Sequence, residues 1–187
     1  MKSVAIVYFS GYGHTVKQAQ AIQAGFQGAQ AELIAIDAEG HLTEAQWASL
    51  QAADAIVFGA PTYMGSVPWQ FKKFADASSK VWFTQGWKDK LAAGFTNSAS
   101  VNGDKGATIQ YLFTLSQQHG QVWIGTGLLP SNTKAHGPSD VNWTAGFAGA
   151  LAISPSDASP DEAPRDGDLE TARLLGQRVA TFAARLG

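Results

Sequence analysis

The stretch that most constrains the fold of this chain runs from Ser3 to Phe26. It contains an apolar run, a short polar turn and an amphipathic segment. The run SVAIVYF is apolar almost throughout, which is typical of a strand that is buried on both faces of a sheet. After the turn, apolar residues recur at spacings of three and four, which predicts one buried face of a helix. These residues are Val16, Ala19, Ile22 and Phe26.

The turn between this strand and this helix, SGYGHT, predicts an anion site. The first amide groups of a helix lack partners inside the helix, and the helix dipole favours negative charge there. Ser10 and Thr15 add hydroxyl donors, and Gly11 and Gly13 let the backbone approach a ligand closely, so a phosphate is the natural ligand. The turn lacks the lysine of a Walker loop, and Val16 occupies the third glycine position of a dinucleotide fingerprint. An ordinary strand-to-helix turn that binds nothing is the alternative.

Composition excludes several classes of function. The 187 residues fit one domain, 1–187, and 45% of them are hydrophobic, which is typical of a globular protein. A net charge of −2 argues against nucleic acid or an anionic membrane as a partner. The absence of cysteine excludes disulfides, thiolate nucleophiles and thiolate metal sites. Without a signal peptide or an apolar run long enough for membrane insertion, a cytoplasmic location is expected.

Further apolar runs alternate with helical patterns along the chain. The predicted strands after the first cover residues 32–36, 54–59, 91–95 and 121–124, and the predicted helices cover 43–50, 68–74, 107–118 and 168–186. This alternation predicts an α/β fold with a parallel, doubly wound sheet. Residues 125–164 are rich in Gly, Pro and Ser and weakly periodic, which predicts a long loop or insertion.

Three loops of this predicted sheet are rich in Gly, Ser, Thr and Asn. They follow the first, third and fourth predicted strands. In doubly wound sheets the ligand lies beyond the carboxyl ends of the strands, where such loops meet. The sequence therefore predicts one ligand site that is built from all three loops.

These loops, SGYGHT, FGAPTYMGSVPWQFKKF and FTNSASVNGDKGAT, resemble those of the flavodoxin-like FMN proteins. The chain is most similar to the WrbA-type NAD(P)H:quinone oxidoreductases and related FMN reductases, over nearly its whole length. The resemblance implies a three-layer α/β/α fold whose five-stranded parallel sheet has the order 2-1-3-4-5. It also implies bound FMN, NAD(P)H as co-substrate, a quinone or similar acceptor, and a homodimer or homotetramer.

The same resemblance assigns cofactor-binding residues. The first loop wraps the FMN phosphate, the second lies beside the isoalloxazine ring, and the backbone of the third faces the polar edge of the ring. The implied residues are Ser10, Gly11, Tyr12, Gly13, His14 and Thr15; Pro61, Thr62, Tyr63, Met64 and Gly65; and Asn97, Ser98, Ala99, Ser100 and Gly103. Trp82, Gln118 and His119 are the residues implied beside a substrate pocket.

The chain departs from the WrbA pattern in two places. Its third loop is one residue longer with fewer glycines, and Gln118 replaces the histidine that approaches the flavin in that family.

Two functions are compatible with this pattern. The first is an enzyme in which NAD(P)H passes a hydride to the flavin and a quinone or similar acceptor then takes the electrons. No catalytic side chain is identified, and the proton could come from water, Tyr63 or a histidine. The alternative is a flavodoxin-type electron carrier without substrate turnover of its own. Such carriers dock through a strongly acidic face, whereas this chain has 15 acidic and 13 basic residues, which favours the enzyme.

Overall fold

The computed structural model describes residues 2–26 and 30–185. It shows a parallel sheet that is packed between two layers of helices. The strands are β1 (Ser3–Tyr8), β2 (Gln30–Ala35), β3 (Ala55–Pro61), β4 (Leu91–Ser98), β5 (Val122–Trp123) and β6 (Ala150–Ile153). The helices are α1 (His14–Ala24), α2 (Glu44–Ala52), α3 (Trp69–Ala77), α4 (Ser79–Phe83), α5 (Lys105–Gln118) and α6 (Asp166–Arg185).

The strand order is β2-β1-β3-β4-β5, with parallel pairing throughout, and it confirms the predicted order 2-1-3-4-5. The edge position beyond β4 is shared by two short strands. β5 pairs with the beginning of β4, and β6 pairs with its end, from Phe95↔Ala150 to Ser98↔Ile153. Residues 150–153 therefore form a strand inside the stretch 125–164, for which the sequence predicts a long loop or insertion.

The two faces of the sheet bury separate apolar clusters because successive side chains of a strand point to opposite faces. On one face, Ile6 packs with Ile22 of α1 and Leu175 of α6. On the other, Val7 packs with residues of α2, α3 and α5. A Cβ on Gly176 of α6 would collide with the backbone carbonyl of Ile22, so this glycine allows α1 and α6 to approach closely.

The helix ends follow local sequence signals. Thr43 and Gln46 form the capping box that the sequence predicts for α2, with the amide of Thr43 donating to Oε1 of Gln46 over 2.8 Å. Helix α1 ends at Ala24, so Phe26 reaches the core from just beyond the helix. The end of the last predicted helix, at Leu186, lies outside the described residues.

Within residues 2–26 and 30–185, none of the helices combines the length and the apolar character that crossing a membrane requires.

Candidate functional site

A cavity of about 500 Å³ opens at the carboxyl edge of the sheet, beyond the ends of β1, β3 and β4. Its volume falls within the range that is usual for small-molecule sites. The residues from the three predicted loops that line it are Tyr12, His14, Thr15, Pro61, Thr62, Tyr63, Asn97, Ser98 and Ala99. The other predicted residues lie in the same loops without lining the cavity; these are Ser10, Gly11, Gly13, Met64, Gly65, Ser100 and Gly103.

The first loop presents unpaired amide groups at the start of α1. Gly13 caps the helix with φ of 93°, a left-handed conformation that favours glycine, and its amide donates to the hydroxyl of Ser10 over 3.1 Å. In the described part of the chain, no side chain caps α1 and its first turn carries no acidic residue. The amides of His14 and Thr15 therefore remain available to an anion.

Hydrogen bonds join the three loops to one another. The side-chain amide of Asn97 donates to the hydroxyl of Thr15 over 2.8 Å, and the carbonyl of Asn97 accepts from the amide of Thr62 over 2.8 Å. The Thr62 hydroxyl lies 2.9 Å from that of Thr96 and 2.8 Å from that of Thr108. The polar wall of the cavity is therefore held in place before any ligand binds.

The second loop forms a tight hairpin that carries one exposed side chain, Met64. The backbones of Tyr63 and Ser66 exchange hydrogen bonds of 2.9 and 3.1 Å around Met64 and Gly65. Met64 has φ of 48°, which is unusual for a residue with a side chain, and that side chain is fully exposed.

The Tyr63 phenol approaches the first loop, since a Cβ on Gly11 would lie 2.5 Å from its oxygen. Burial raises the pKa of Tyr63, and neighbouring Tyr12, whose ring centroid is 6.2 Å away, raises it further. The phenol therefore keeps its proton at neutral pH.

The third loop is held by a lysine that sequence reasoning missed. Lys105 is only 1% exposed, and its ammonium donates to the Ser98 hydroxyl over 2.9 Å and to the carbonyls of Ser100 and Val101 over 2.8 Å each. The position of Lys105 at the first residue of α5 is the sequence signal that indicates such a role. A lysine at the first residue of a helix opposes the helix dipole, so such a residue needs another reason to be there.

A fourth segment, after β6, completes the cavity and was also missed. Ser154, Pro155, Ser156 and Ala158 line the cavity. The amide of Ser154 donates to the carbonyl of Ser98 over 3.0 Å, which joins this segment to the third loop.

The same segment then crosses the first loop. Nδ1 of His14 lies 2.9 Å from the carbonyl of Ala163, and a Cβ on Gly13 would lie 2.6 Å from the Pro160 ring. Its Ser- and Pro-rich sequence carries no periodic pattern that would have identified it.

The three residues predicted beside the substrate pocket lie elsewhere in the chain. Trp82, Gln118 and His119 line a separate depression of about 280 Å³. Helix α5 runs back from the carboxyl edge, so its last residue, Gln118, lies near the beginning of β4, which is roughly 23 Å from the end of that strand. Within a single chain, these three residues are therefore not brought to the cavity.

His119 is buried among side chains near the beginning of β4 and contacts Ser78 and Trp87 there. Its Nε2 lies 2.8 Å from the hydroxyl of Ser78, and its ring centroid lies 4.4 Å from that of Trp87. Burial lowers the pKa of His119 to about 4, so the ring is neutral at pH 7.

The donor set of the cavity fits a ligand that combines a phosphate with an aromatic ring system. The start of α1 offers amide and hydroxyl donors, and no carboxylate lines the cavity among the described residues. Tyr12 and Tyr63 offer aromatic surface at its mouth.

The family described as NADPH-dependent FMN reductase matches residues 4–134. This chain belongs to that family. In this family the cofactor is FMN and the reductant is NAD(P)H, and the cavity provides the donors that the FMN phosphate requires. The enzyme class expected from the sequence, an NAD(P)H-dependent flavin or quinone reductase, is thereby confirmed.

Similar proteins cover the chain almost completely. Flavodoxin FldP of Pseudomonas aeruginosa is 53% identical over 100% of this chain and 99% of its own length. An NAD(P)H dehydrogenase (quinone) of Gluconacetobacter diazotrophicus is 31% identical over 100% of this chain and 99% of its own length. A flavodoxin, WrbA-like protein from Agrobacterium tumefaciens has a crystal structure with a TM-score of 0.80 and 48% identity, covering 99% of both chains. The resemblance to WrbA-type flavodoxin-like proteins is therefore confirmed.

Proposed function

We propose that this FMN reductase family member passes electrons from NAD(P)H through bound FMN to a quinone or a similar small acceptor. The observation that carries the proposal is that the three predicted loops converge on one cavity, with the start of α1 and aromatic surface among its walls. Relatives named NAD(P)H dehydrogenase (quinone) support the choice of acceptor.

We assign the phosphate of FMN to the first loop. His14 and Thr15 line the cavity at the start of α1, where their amides and the Thr15 hydroxyl are hydrogen-bond donors, and the Ser10 hydroxyl lies in the same loop. The Ser10 oxygen accepts from Gly13, and the Thr15 oxygen accepts from Asn97, so the proton of each hydroxyl is left for the phosphate. Together these groups can hold a dianion without a lysine in the loop.

We assign the ring of FMN to the second and third loops. Thr62 and Tyr63 form one side of the cavity, and Asn97 to Ala99 form another. Bound FMN would supply the redox chemistry that links NAD(P)H to the acceptor, and the residues of these two loops would hold the ring and orient both substrates. The hairpin around Met64 would set how far the ring is exposed to them.

The substrates would approach from the exposed mouth of the cavity. Tyr12 is 77% exposed and Met64 is fully exposed, and both stand in loops that form the cavity. Flat aromatic and polarisable side chains of this kind stack well against planar apolar rings such as a quinone or a nicotinamide. Tyr63 keeps its proton at neutral pH and is the side chain that we propose as proton donor to the reduced acceptor.

We also propose that residues 1–187 act as one FMN-binding domain. Within its long segment 125–164, residues 150–153 return to the sheet as β6, so residues 124–149 separate the two short strands β5 and β6 at the same edge. We propose a cytoplasmic location because the proposed reaction consumes NAD(P)H. A homodimer or homotetramer is the assembly that we propose. Trp82, Gln118 and His119 could then contribute to a substrate pocket only across an interface between copies.

Steady-state kinetics with the FMN-loaded protein, NADPH or NADH, and benzoquinone test this proposal. We expect turnover that requires FMN. Double-reciprocal plots should show parallel lines, because the oxidised nicotinamide leaves before the acceptor binds. The competing function is a flavodoxin-type electron carrier, which the name of the 53% identical relative favours. FMN-loaded protein that gives no turnover with either reductant would overturn the enzyme and leave the carrier.

A further inference from the structure

Two buried charges of opposite sign lie behind the walls of the cavity. Lys105 and Asp168 are 1% and 2% exposed, respectively. Lys105 belongs to the first turn of α5 and Asp168 to the first turn of α6, so the two charges come from distant parts of the chain. The function derived from the three loops uses neither of them.

Each charged group is hydrogen-bonded to a different segment of the cavity wall, Lys105 to the third loop and Asp168 to the end of β6. The Lys105 ammonium reaches the cavity wall through Ser98, whose hydroxyl accepts from it over 2.9 Å. The Asp168 carboxylate accepts from the amide of Ile153 over 2.9 Å, and the next residue, Ser154, lines the cavity. The amide of Ser154 donates to the carbonyl of Ser98 over 3.0 Å and connects the two walls.

Lys105 and Asp168 stay charged although burial disfavours the charged form of each. Burial lowers the pKa of Lys105 to about 8 and raises the pKa of Asp168 to about 6, so both remain mostly charged at pH 7. The attraction between them opposes both shifts, and Arg165 is the other charged group that acts on Asp168. Buried charges are an expensive way to hold a loop, since apolar packing is often as stable.

The positive charge of Lys105 lies against the third loop, which we assign to the FMN ring. All three donors of Lys105 point at the third loop, and the start of α5 adds the positive end of a 14-residue helix dipole at the same place. A flavin gains negative charge when it is reduced, and charge near the ring tunes that step.

We propose that Lys105 is a positioning residue that fixes the third loop and favours reduced FMN over oxidised FMN, and that Asp168 opposes it from the other wall. This inference rests on the proposed function, because it concerns FMN in the same cavity. Lys105 acts through Ser98 and the loop backbone.

The test is the two-electron midpoint potential of bound FMN in the wild type, Lys105→Met, Lys105→Arg and Asp168→Asn. For Lys105→Met we expect reduced FMN to lose about tenfold in affinity relative to oxidised FMN, which lowers the potential by about 30 mV. Asp168→Asn should shift the potential in the opposite direction, and Lys105→Arg should restore most of the wild-type value. Lys72→Met, at an exposed lysine of α3, is the matched control and should leave the potential unchanged.

A purely structural role would not give shifts of opposite sign. Equal potentials in Lys105→Met and the wild type, or shifts of the same sign in Lys105→Met and Asp168→Asn, would overturn the electrostatic part.

Amide hydrogen exchange on the FMN-free proteins tests the loop separately, and Lys105→Met should accelerate exchange over residues 99–102. Unchanged exchange would overturn the positioning part. A wild-type protein that binds no FMN would overturn the proposed function and the electrostatic part, while the exchange result would still decide the positioning part.

Discussion

The side-chain amide of Asn97 donates a hydrogen bond of 2.8 Å to the hydroxyl of Thr15 and thereby joins the end of β4 to the first turn of α1. Both residues are buried, at 5% and 1% exposure. Because the Thr15 oxygen accepts this bond, the orientation of its own proton is restricted, and a donor is set in place for the phosphate before FMN arrives.

Thr15→Val should weaken FMN binding by roughly 10- to 100-fold, because it removes a hydrogen bond to a charged group that is worth about 1.5–3 kcal/mol. It should also lower the free energy of unfolding by about 1–3 kcal/mol, because the buried amide of Asn97 loses its acceptor. Calorimetric titration with FMN and urea unfolding measure the two effects. Thr114→Val, at an exposed position of α5, is the control, and an FMN affinity for Thr15→Val within twofold of the wild type would contradict the assignment.

Gly13→Ala should lower the free energy of unfolding of the FMN-free protein by about 1–2 kcal/mol. Its φ of 93° is unfavourable for alanine, and the added Cβ would lie 2.6 Å from the Pro160 ring. The matched control is Gly106→Ala in α5, where an added Cβ meets nothing within 4 Å. This substitution should raise the free energy of unfolding by about 0.5–1 kcal/mol. Urea unfolding measures both, and an unchanged or higher stability for Gly13→Ala would refute the described loop geometry.

His119 should make the fold sensitive to acid. Burial lowers its pKa from 6.5 to about 4, so between these pH values the unfolded chain binds a proton that the folded chain does not. Stability should therefore fall as the pH falls through this window, by about 3 kcal/mol in total from this group.

His119→Gln should remove this part of the pH dependence, as measured by urea unfolding at several pH values between 7 and about 4. Thr114→Val, at an exposed position of α5 without a titratable group, is the control and should keep the slope of the wild type. A slope that is the same in the wild type and His119→Gln would show that the ring is not held neutral by burial.

Tyr63→Phe should leave FMN affinity within a few-fold of the wild type, because the ring surface is retained. If Tyr63 delivers the proton to the reduced acceptor, kcat with a quinone should fall roughly tenfold or more. Tyr12→Phe controls for loss of a phenol at the mouth of the cavity, and it should retain kcat because Tyr12 is 77% exposed. Equal values of kcat in Tyr63→Phe and the wild type would assign the proton to water or another group.

The fold and the location of the cavity could be predicted from the sequence, because both follow from local patterns. The apolar runs of β1, β3 and β4 are buried on both faces, and parallel strands bring their carboxyl ends to one edge. The turn between β1 and α1 could be predicted for a similar reason, since an apolar run precedes this glycine-containing stretch and a helical pattern follows it.

The remaining parts of the site depend on contacts between distant residues. Strand β6 has four residues and gains its partner only from the end of β4, so no periodic pattern marks it. Lys105 is a buried residue of a type that is usually exposed, and its burial depends on three acceptors in the folded loop. Gln118 and His119 were matched by resemblance alone, and the direction of α5 carries them to the other edge of the sheet.

Anaerobic mixing of the FMN-loaded protein with NADPH or NADH, followed by addition of benzoquinone, tests the central claim most directly. We predict that one of the two reductants bleaches the visible flavin absorbance in a single two-electron phase and that benzoquinone restores it fully. Absorbance that stays unchanged with both reductants, in a protein whose FMN is reduced by dithionite in two separate one-electron steps, would contradict the proposed enzyme and support an electron carrier.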